Sequence, residues 1–162
     1  GEHRPIVFPV PKYGRGIDLL RLFNEKIPEL TCCGDEHFMH CVSSLTEDFW
    51  FKNKTLRANL YNSESPCDIL FLSDPQLRDC CARKITENIL AGGGAAVMTG
   101  TTERGSASER LTRCGKMKLL RYPVHQNYAE FTELVKQNDF GRVIPYHSPE
   151  ISVEECGSEI VF

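Results

Sequence analysis

The sequence predicts an α/β fold in which a mostly parallel sheet is covered by helices on both faces, with Rossmann-like topology. Short apolar runs, of which Asp68–Ser73 is the clearest, alternate along the chain with segments whose apolar residues recur at helical spacing. Short turns that contain glycine join these segments, as at Gly92–Gly94. This alternation is typical of parallel sheets, because a helix carries the chain back between successive parallel strands.

The predicted strands are short apolar runs bounded by turn residues, and they cover Pro5–Val10, Leu30–Cys33, Asp68–Ser73, Ala95–Thr99, Lys116–Tyr122 and Arg142–Tyr146. The stretch Phe51–Pro66 is polar and is predicted to be a loop. Near the end of the chain, Ile160–Phe162 has the composition of one more strand.

Five helices are predicted between the strands. The first follows the Lys12–Gly16 turn, and the second is opened by Asp35 and Glu36, whose charges suit a helix N-terminus. Pro75 is expected to begin a third helix, which ends at Gly92. The last two are expected after the loop that follows the fourth strand, and from residue 127 onward.

The composition is that of an ordinary soluble chain with a core of its own. The 162 residues are 41% hydrophobic and carry a formal net charge of −3, so any contact with phosphate must be local. The longest apolar runs are far shorter than the roughly 20 residues that a membrane helix needs, and no basic-then-apolar leader opens the chain. We therefore expect a cytoplasmic protein without membrane contact, whose cysteines are reduced thiols.

One stretch is locally basic. Between Gly100 and Tyr122, basic residues outnumber the acidic residues Glu103 and Glu109. The basic residues are Arg104, Arg110, Arg113, Lys116, Lys118 and Arg121. Such a stretch suits a groove that meets a polyanion, and it is equally typical of a solvated helix face and loop.

Two histidines close predicted strands on either side of one predicted helix. His125 follows Leu119–Val124, and His147 follows Arg142–Tyr146. A strand–helix–strand unit returns both strand ends to the same edge of a parallel sheet, where α/β domains bind their ligands. Taken alone, each histidine is explained equally well as a residue that caps its strand through a hydrogen bond to a neighbouring backbone group. Together, the two imidazoles favour a metal site or phosphate chemistry.

Two turns have compositions that suit an anion. Lys12–Gly16 joins a strand to a helix, but it lacks the third glycine of a dinucleotide fingerprint. Thr99–Gly105 places hydroxylic residues and glycines before a predicted helix, so it either approaches a phosphate or forms a plain capping turn.

Several thiols and imidazoles lie close together in the second strand and helix. They are Cys32, Cys33, His37, His40 and Cys41. Thiolate and imidazole are the ligands that zinc prefers, although this spacing matches none of the usual paired knuckles. The alternative is that the cysteines are buried as small apolar side chains.

Five segments share their order and spacing with one protein family over nearly the whole chain. They are Ile6–Leu20, Ile69–Leu77, Ala95–Gly100 with Gly105, Tyr122–His125 and Pro145–Ser148. In this order they resemble the β-CASP region of metallo-β-lactamase-fold nucleases. Tyr122–His125 resembles the family's Phe-Ser-Ala-His motif, and Pro145–Ser148 resembles its late His-Gly motif. The chain has Asn127 and Ser148 where the family commonly has an acidic residue and a glycine.

The resemblance implies a zinc-dependent phosphodiesterase that acts on RNA or, less commonly, on DNA, with zinc activating a water molecule for attack on phosphorus. By the same resemblance His147 is a zinc ligand, and His125 contacts the scissile phosphate or assists proton transfer to the leaving oxygen. The residues implied to line the nucleic-acid groove are Thr99, Gly100, Arg104 and Gly105.

The resemblance also implies a division of the chain and a missing partner. Residues 1–115 correspond to a β-CASP-like α/β domain, and residues 116–162 resemble a C-terminal piece of the metallo-β-lactamase lobe. The family's His-x-His-x-Asp-His signature lies upstream of these segments and does not occur in this sequence. We therefore expect an upstream lobe of the same protein as a partner, and no cleavage by these residues alone. The sequence leaves open whether the chain also pairs with itself as a homodimer.

Two other interpretations of the sequence stay open. One is a catalytically silent β-CASP-like domain that serves as a binding or scaffold surface. The other is an unrelated doubly wound domain that binds a small phosphorylated ligand at the Gly14–Gly16 turn.

Overall fold

A computed structural model describes residues 4–47, 56–123 and 128–140. Within these residues the chain forms six strands and five helices, and every pair of neighbouring strands is parallel. The prediction of an α/β fold with a parallel sheet is therefore confirmed. The chain divides into two compact units, Gly1–Pro123 and Val124–Phe162, and the first contains the whole sheet.

The strands are β1 (Ile6–Pro9), β2 (Cys32–Gly34), β3 (Asn59–Leu60), β4 (Ile69–Leu72), β5 (Ala95–Met98) and β6 (Met117–Leu119). The helices are α1 (Arg15–Lys26), α2 (Glu36–Glu47), α3 (Cys80–Ala91), α4 (Ala107–Arg113) and, in the second unit, α5 (Tyr128–Gln137). Across the sheet the strands lie in the order β3-β2-β4-β1-β5-β6.

The order of the strands determines which face each helix covers. The chain leaves β1 toward one side of the sheet through α1, and it leaves β4 toward the other side through α3. Because crossovers between parallel strands are right-handed, α1 and α2 cover one face, and α3 and α4 cover the other. The chain therefore passes from the neighbouring strands β1 and β5 into helices on opposite faces of the sheet, and the same is true of β2 and β4. Open α/β sheets bind ligands beyond the carboxyl ends of such strand pairs.

Alternation along the strands divides the core into two layers. In β4, Leu70 and Leu72 pack toward α3, whereas Ile69 and Phe71 pack toward α1 and α2. Phe71 is fully buried, and its ring centroid lies 5.0 Å from that of Phe38 in α2. A sheet buried on both faces explains why its strands are continuous apolar runs.

The predicted start of the third helix at Pro75 is wrong. The helix begins at Cys80, and Asp79 is its N-cap, whose side chain accepts a hydrogen bond from the amide of Ala82. Between Pro75 and Asp79 the backbone turns instead, because the Asp74 carboxylate accepts hydrogen bonds from the amides two and five residues later. The predicted end is confirmed, since α3 terminates at Gly92.

The remaining boundaries differ little from the predictions. The polar stretch Phe51–Pro66 contributes the two-residue strand β3, which pairs with the edge of β2. The predicted strands Arg142–Tyr146 and Ile160–Phe162 lie outside the described residues. None of the helices within the described residues is both long and apolar enough to span a membrane.

Candidate functional site

The carboxyl end of β5 carries all of the predicted groove residues. Thr99 and Gly100 follow the strand directly and are buried, whereas Arg104 and Gly105 are exposed further along the loop to α4. The structure therefore places these four residues on one loop at the carboxyl edge of the sheet, and their role in a nucleic-acid groove stays a prediction. Their surroundings differ from one residue to the next.

Gly100 lies beneath the side chain of Arg15, the first residue of α1. A Cβ atom on Gly100 would collide with Nη1 of Arg15, so only glycine lets the guanidinium occupy this place. The same guanidinium donates a hydrogen bond of 2.9 Å from Nε to the carbonyl oxygen of Tyr122. The amide of Tyr122 in turn donates to the carbonyl oxygen of Thr99 at 2.9 Å. These contacts join the loops after β1, β5 and β6 at one edge.

The Thr99 side chain carries an unused hydroxyl. Thr99 is 4% exposed, and its Oγ1 has no hydrogen-bond partner among the described residues. Strand alternation places this side chain on the same face as Val97, the face that α1 covers. A buried hydroxyl without a partner costs about 1–3 kcal/mol of folding free energy. The side chain of Thr99 therefore places a polar group without a partner among the described residues beside the carboxyl edge of the sheet.

The N-terminus of α1 also lacks a side-chain cap. Gly14 is the N-cap residue, with a φ of 65°, and among the described residues no side chain caps the first-turn amides. Those amides are donors that a helix cannot satisfy internally. Gly16 has a packing role instead, because a Cβ there would lie 2.7 Å from the carbonyl oxygen of Pro11. Asp18 places one negative charge in the same first turn.

Gly105 belongs to a capping turn. Its φ of 82° favours glycine, and its amide donates a 2.7 Å hydrogen bond to Oε2 of Glu109. Ser106, the N-cap of α4, accepts a hydrogen bond from the amide of Glu109 in return. The bond from Gly105, together with that from Arg113, holds the pKa of Glu109 below its ordinary value. The Gly105 amide is thus already used within the loop.

Gln76 braces the loop after β5, a role that no pattern in the local sequence predicts. Gln76 is 8% exposed; its Nε2 donates to the carbonyl oxygen of Thr101, and its Oε1 accepts from the amide of Glu103. The exposed carboxylate of Glu103 also pairs with Arg78. The loop between β4 and α3 therefore fixes the shape of the loop between β5 and α4.

The locally basic stretch does not form one continuous surface. All six of its cationic residues are exposed. Arg113 pairs with Glu109, and Arg110 donates to the carbonyl oxygen of Gly105. Lys116 precedes β6 and lies at the amino edge of the sheet, whereas Arg104 and Arg121 follow strands at the carboxyl edge. With Lys12 and Arg15, the latter two place four cations near the carboxyl ends of β1, β5 and β6, beside the acidic residues Asp18 and Glu103.

A second cleft, of about 430 Å³, lies beyond the carboxyl ends of β2 and β4. Asp35 forms its base, since Oδ1 accepts from the amide of Phe38 and Oδ2 accepts from the amide of Ser73 at 2.6 Å. The other polar residues that line the cleft are Glu36, His37, Asp74, Asp79 and Cys81. Sequence reasoning missed this cleft, because its two walls come from segments almost forty residues apart.

The predicted cluster of thiols and imidazoles is not brought together. Cys32, Cys33 and Cys41 are buried, whereas His37 and His40 are exposed. The thiol of Cys33 interacts instead with Cys67, and this hydrogen bond lowers the pKa of Cys33 and raises that of Cys67.

None of the described cysteines forms a disulfide. Within the described residues, one group of three potential metal donors lies together, and it consists of Asp79, Cys80 and Cys81.

His125 and His147, the predicted catalytic residue and zinc ligand, lie outside the described residues. The described segments next to His125 are the stretch after β6, residues 120–123, and helix α5. Whether the two imidazoles share one site therefore stays a prediction.

No protein-family model matches the chain. No curated protein is significantly similar to it in sequence. The class that the fold and the site define is an α/β domain with an open parallel sheet and unused hydrogen-bond donors at its carboxyl edge.

Proposed function

We propose that this chain is the β-CASP-like part of a zinc-dependent nuclease that processes RNA, and that the carboxyl edge between β1 and β5 binds the phosphates of the nucleic acid. The order of the five segments that resemble the family supports the nuclease assignment. The α/β fold with its parallel sheet is compatible with it. The hydrogen-bond donors at the carboxyl edge support the binding of phosphate.

The observation that carries the proposal is a convergence of unused donors. The Thr99 hydroxyl is buried without a partner, the first-turn amides of α1 have no side-chain cap, and no described residue accepts a hydrogen bond from Nη1 or Nη2 of Arg15. Phosphate oxygens are strong acceptors, and helix N-termini and arginine forks are the groups that bind them most often in proteins. An anion at this edge would therefore supply the kind of acceptor that these donors lack.

The distribution of charge favours a polyanion over a single phosphate group. Lys12, Arg104 and Arg121 are exposed on loops of the same edge as Arg15. A mononucleotide at the α1 N-terminus would leave these outer cations without a role. A nucleic-acid strand that runs along the edge neutralises several of them and releases the counterions that they hold.

The test uses two substitutions that affect folding and binding differently. Thr99→Val removes the unpaired hydroxyl at nearly constant volume, so it should stabilise the fold by about 1 kcal/mol and weaken the binding of RNA. Arg15→Ala should weaken binding by about tenfold and lower the slope of log affinity against log salt by about 1. Arg21→Ala, on the exposed surface of the same helix, removes the same charge away from the edge and should leave binding unchanged.

Fluorescence anisotropy with labelled single-stranded RNA, repeated at several salt concentrations, measures these effects. Unchanged RNA affinity in both Thr99→Val and Arg15→Ala would refute binding at this edge. A stabilising shift with a mononucleotide and none with RNA would favour the small phosphorylated ligand instead.

The nuclease half of the proposal is tested in the protein that includes an upstream lobe. There, His147→Ala should lower zinc content and activity together, because a lost ligand releases the metal. His125→Ala should lower turnover and leave the zinc content unchanged. Equal zinc loss in both variants would contradict the separate roles. Intact RNA binding without any cleavage in the longer wild-type protein would indicate the silent scaffold.

A further inference from the structure

The first turn of α3 presents three metal-binding side chains to solvent. Asp79 is the N-cap, and Cys80 and Cys81 are the first two helical residues. All three are exposed, and one donor atom from each lies within 4.8 Å of the donor atoms of the other two. The Asp79 carboxylate caps the helix through Oδ2, and a carboxylate has a second oxygen that can accept a metal.

These distances are close to those of a zinc site. With Zn–S bonds of about 2.3 Å in tetrahedral geometry, two thiolate ligands lie about 3.8 Å apart. The donor atoms of the three residues all lie within 4.8 Å of one another, and rotation of these exposed side chains brings the two sulfurs to the shorter spacing without moving the backbone. Helix α3 thus holds the three donors almost in position.

The electrostatic surroundings also favour a cation. Asp79 and Cys81 line the cleft beyond β2 and β4, together with Asp35, Glu36 and Asp74. A divalent cation at this place would be attracted by these carboxylates and bound by the two thiolates.

We infer that Cys80, Cys81 and Asp79 bind one Zn²⁺ ion, or a similarly thiophilic divalent cation, with the fourth coordination position open to the cleft that His37 lines. Both thiols release their protons to the solvent when the metal binds, and no electron is transferred. The site shares no residue with the donors proposed to bind RNA, so either proposal can fail without the other.

The experiment is a titration of the purified, reduced chain with Cd²⁺ and then with Zn²⁺. Cadmium–thiolate bonds give an ultraviolet charge-transfer band that imidazole and carboxylate ligands do not give, and competition with a chromophoric chelator reports the affinity for zinc. We expect one equivalent of cadmium to produce the band, and zinc to displace it. Cys80→Ser and Cys81→Ser should each weaken binding by at least about 10- to 100-fold, the loss typical of removing even an outer partner of a metal ligand.

Two further variants serve as controls. Cys114→Ser removes an exposed thiol at the end of α4 and should leave the cadmium band and the zinc affinity unchanged. Asp79→Asn removes the negative charge but keeps a residue that is a good N-cap. It therefore removes the metal ligand without removing the helix, and far-ultraviolet circular dichroism measures whether the helix content is kept. We expect it to weaken zinc binding with the helix content intact. Undiminished binding in a Cys80→Ser/Cys81→Ser double variant, or loss of the band in Cys114→Ser, would overturn the inference.

Discussion

The contact between Gly100 and Arg15 predicts that Gly100→Ala lowers the stability of the wild-type chain but raises the stability of an Arg15→Ala variant. In the wild-type chain, Gly100→Ala places a methyl group where Nη1 of Arg15 lies, so the guanidinium moves and its bond to the Tyr122 carbonyl is lost. Without Arg15 the same methyl group meets no such obstacle. The backbone of Gly100 lies outside the left-handed region, so alanine is tolerated there.

The size of each stability change follows from two contributions, the lost hydrogen bond of Arg15 and the lower entropy of the unfolded chain when glycine becomes alanine. A hydrogen bond from a charged donor contributes about 1.5–3 kcal/mol, and we take the lower end because the bond is only partly buried. Replacing glycine by alanine returns about 0.4–1 kcal/mol through the entropy of the unfolded chain. Gly100→Ala should therefore destabilise the wild type by about 1 kcal/mol and stabilise the Arg15→Ala variant by about 0.5 kcal/mol, a coupling of about 1.5 kcal/mol.

Urea unfolding of the four proteins, followed by far-ultraviolet circular dichroism, measures the coupling as a double-mutant cycle. Gly105→Ala is the matched control. Its φ of 82° strains any residue with a Cβ, but apart from its chain neighbours no described residue has an atom within 4 Å of the new methyl group, so its cost should be the same in both backgrounds. If Gly100→Ala destabilises both backgrounds equally, the side chain of Arg15 does not fill the space above Gly100, and the proposed donor cluster is wrong.

Three more predictions concern the cleft, a close backbone approach and a buried thiol. Asp35→Asn should destabilise the fold by about 1–3 kcal/mol in urea unfolding, because an amide nitrogen in place of a carboxylate oxygen cannot accept the bonds that Ser73 donates. Gly94→Ala should lower thermal stability by about 1–3 kcal/mol, since a Cβ there would lie 2.5 Å from the Pro5 carbonyl oxygen. Burial, with the charge of a neighbouring cysteine, raises the pKa of Cys32 to about 11, so its contribution to stability is complete below the ordinary thiol pKa and is lost as pH rises toward 11.

Matched substitutions show whether each cause is correct. At Gly92 the nearest atoms to a new Cβ are 3.4 Å away, so Gly92→Ala should cost less than Gly94→Ala, and equal costs would contradict the close approach. The alkaline loss of urea stability should be smaller in Cys32→Ala than in the wild type; an identical loss would assign it to other groups. Wild-type stability in Asp35→Asn would mean that the carboxylate does not support the cleft.

The strands and most helix ends could be predicted from local sequence, because a sheet buried on both faces requires continuous apolar runs such as Ile69–Leu72. The start of α3 could not, since Pro75 and Asp79 both suit a helix N-terminus. Asp74 decides between them by holding the intervening backbone in a turn.

The contacts of the candidate site could not be predicted from the sequence, for a different reason. Arg15 meets Gly100 and Tyr122 only because β1, β5 and β6 are neighbours in the sheet, and no periodic pattern encodes strand order. The sequence contains Asp79, Cys80 and Cys81 in a row, but the helix start predicted at Pro75 would place them inside the helix. In the structure they lie at its N-terminus.

The most direct test of the central claim is hydrogen–deuterium exchange of the chain with and without single-stranded RNA. If the carboxyl edge binds phosphate, RNA should slow exchange of the amides in the first turn of α1 and in Thr99–Arg104, and leave the amino-edge turn Gly92–Gly94 unchanged. Protection of Gly92–Gly94 without protection of Thr99–Arg104 would contradict the proposal that nucleic acid binds at the carboxyl ends of β1 and β5.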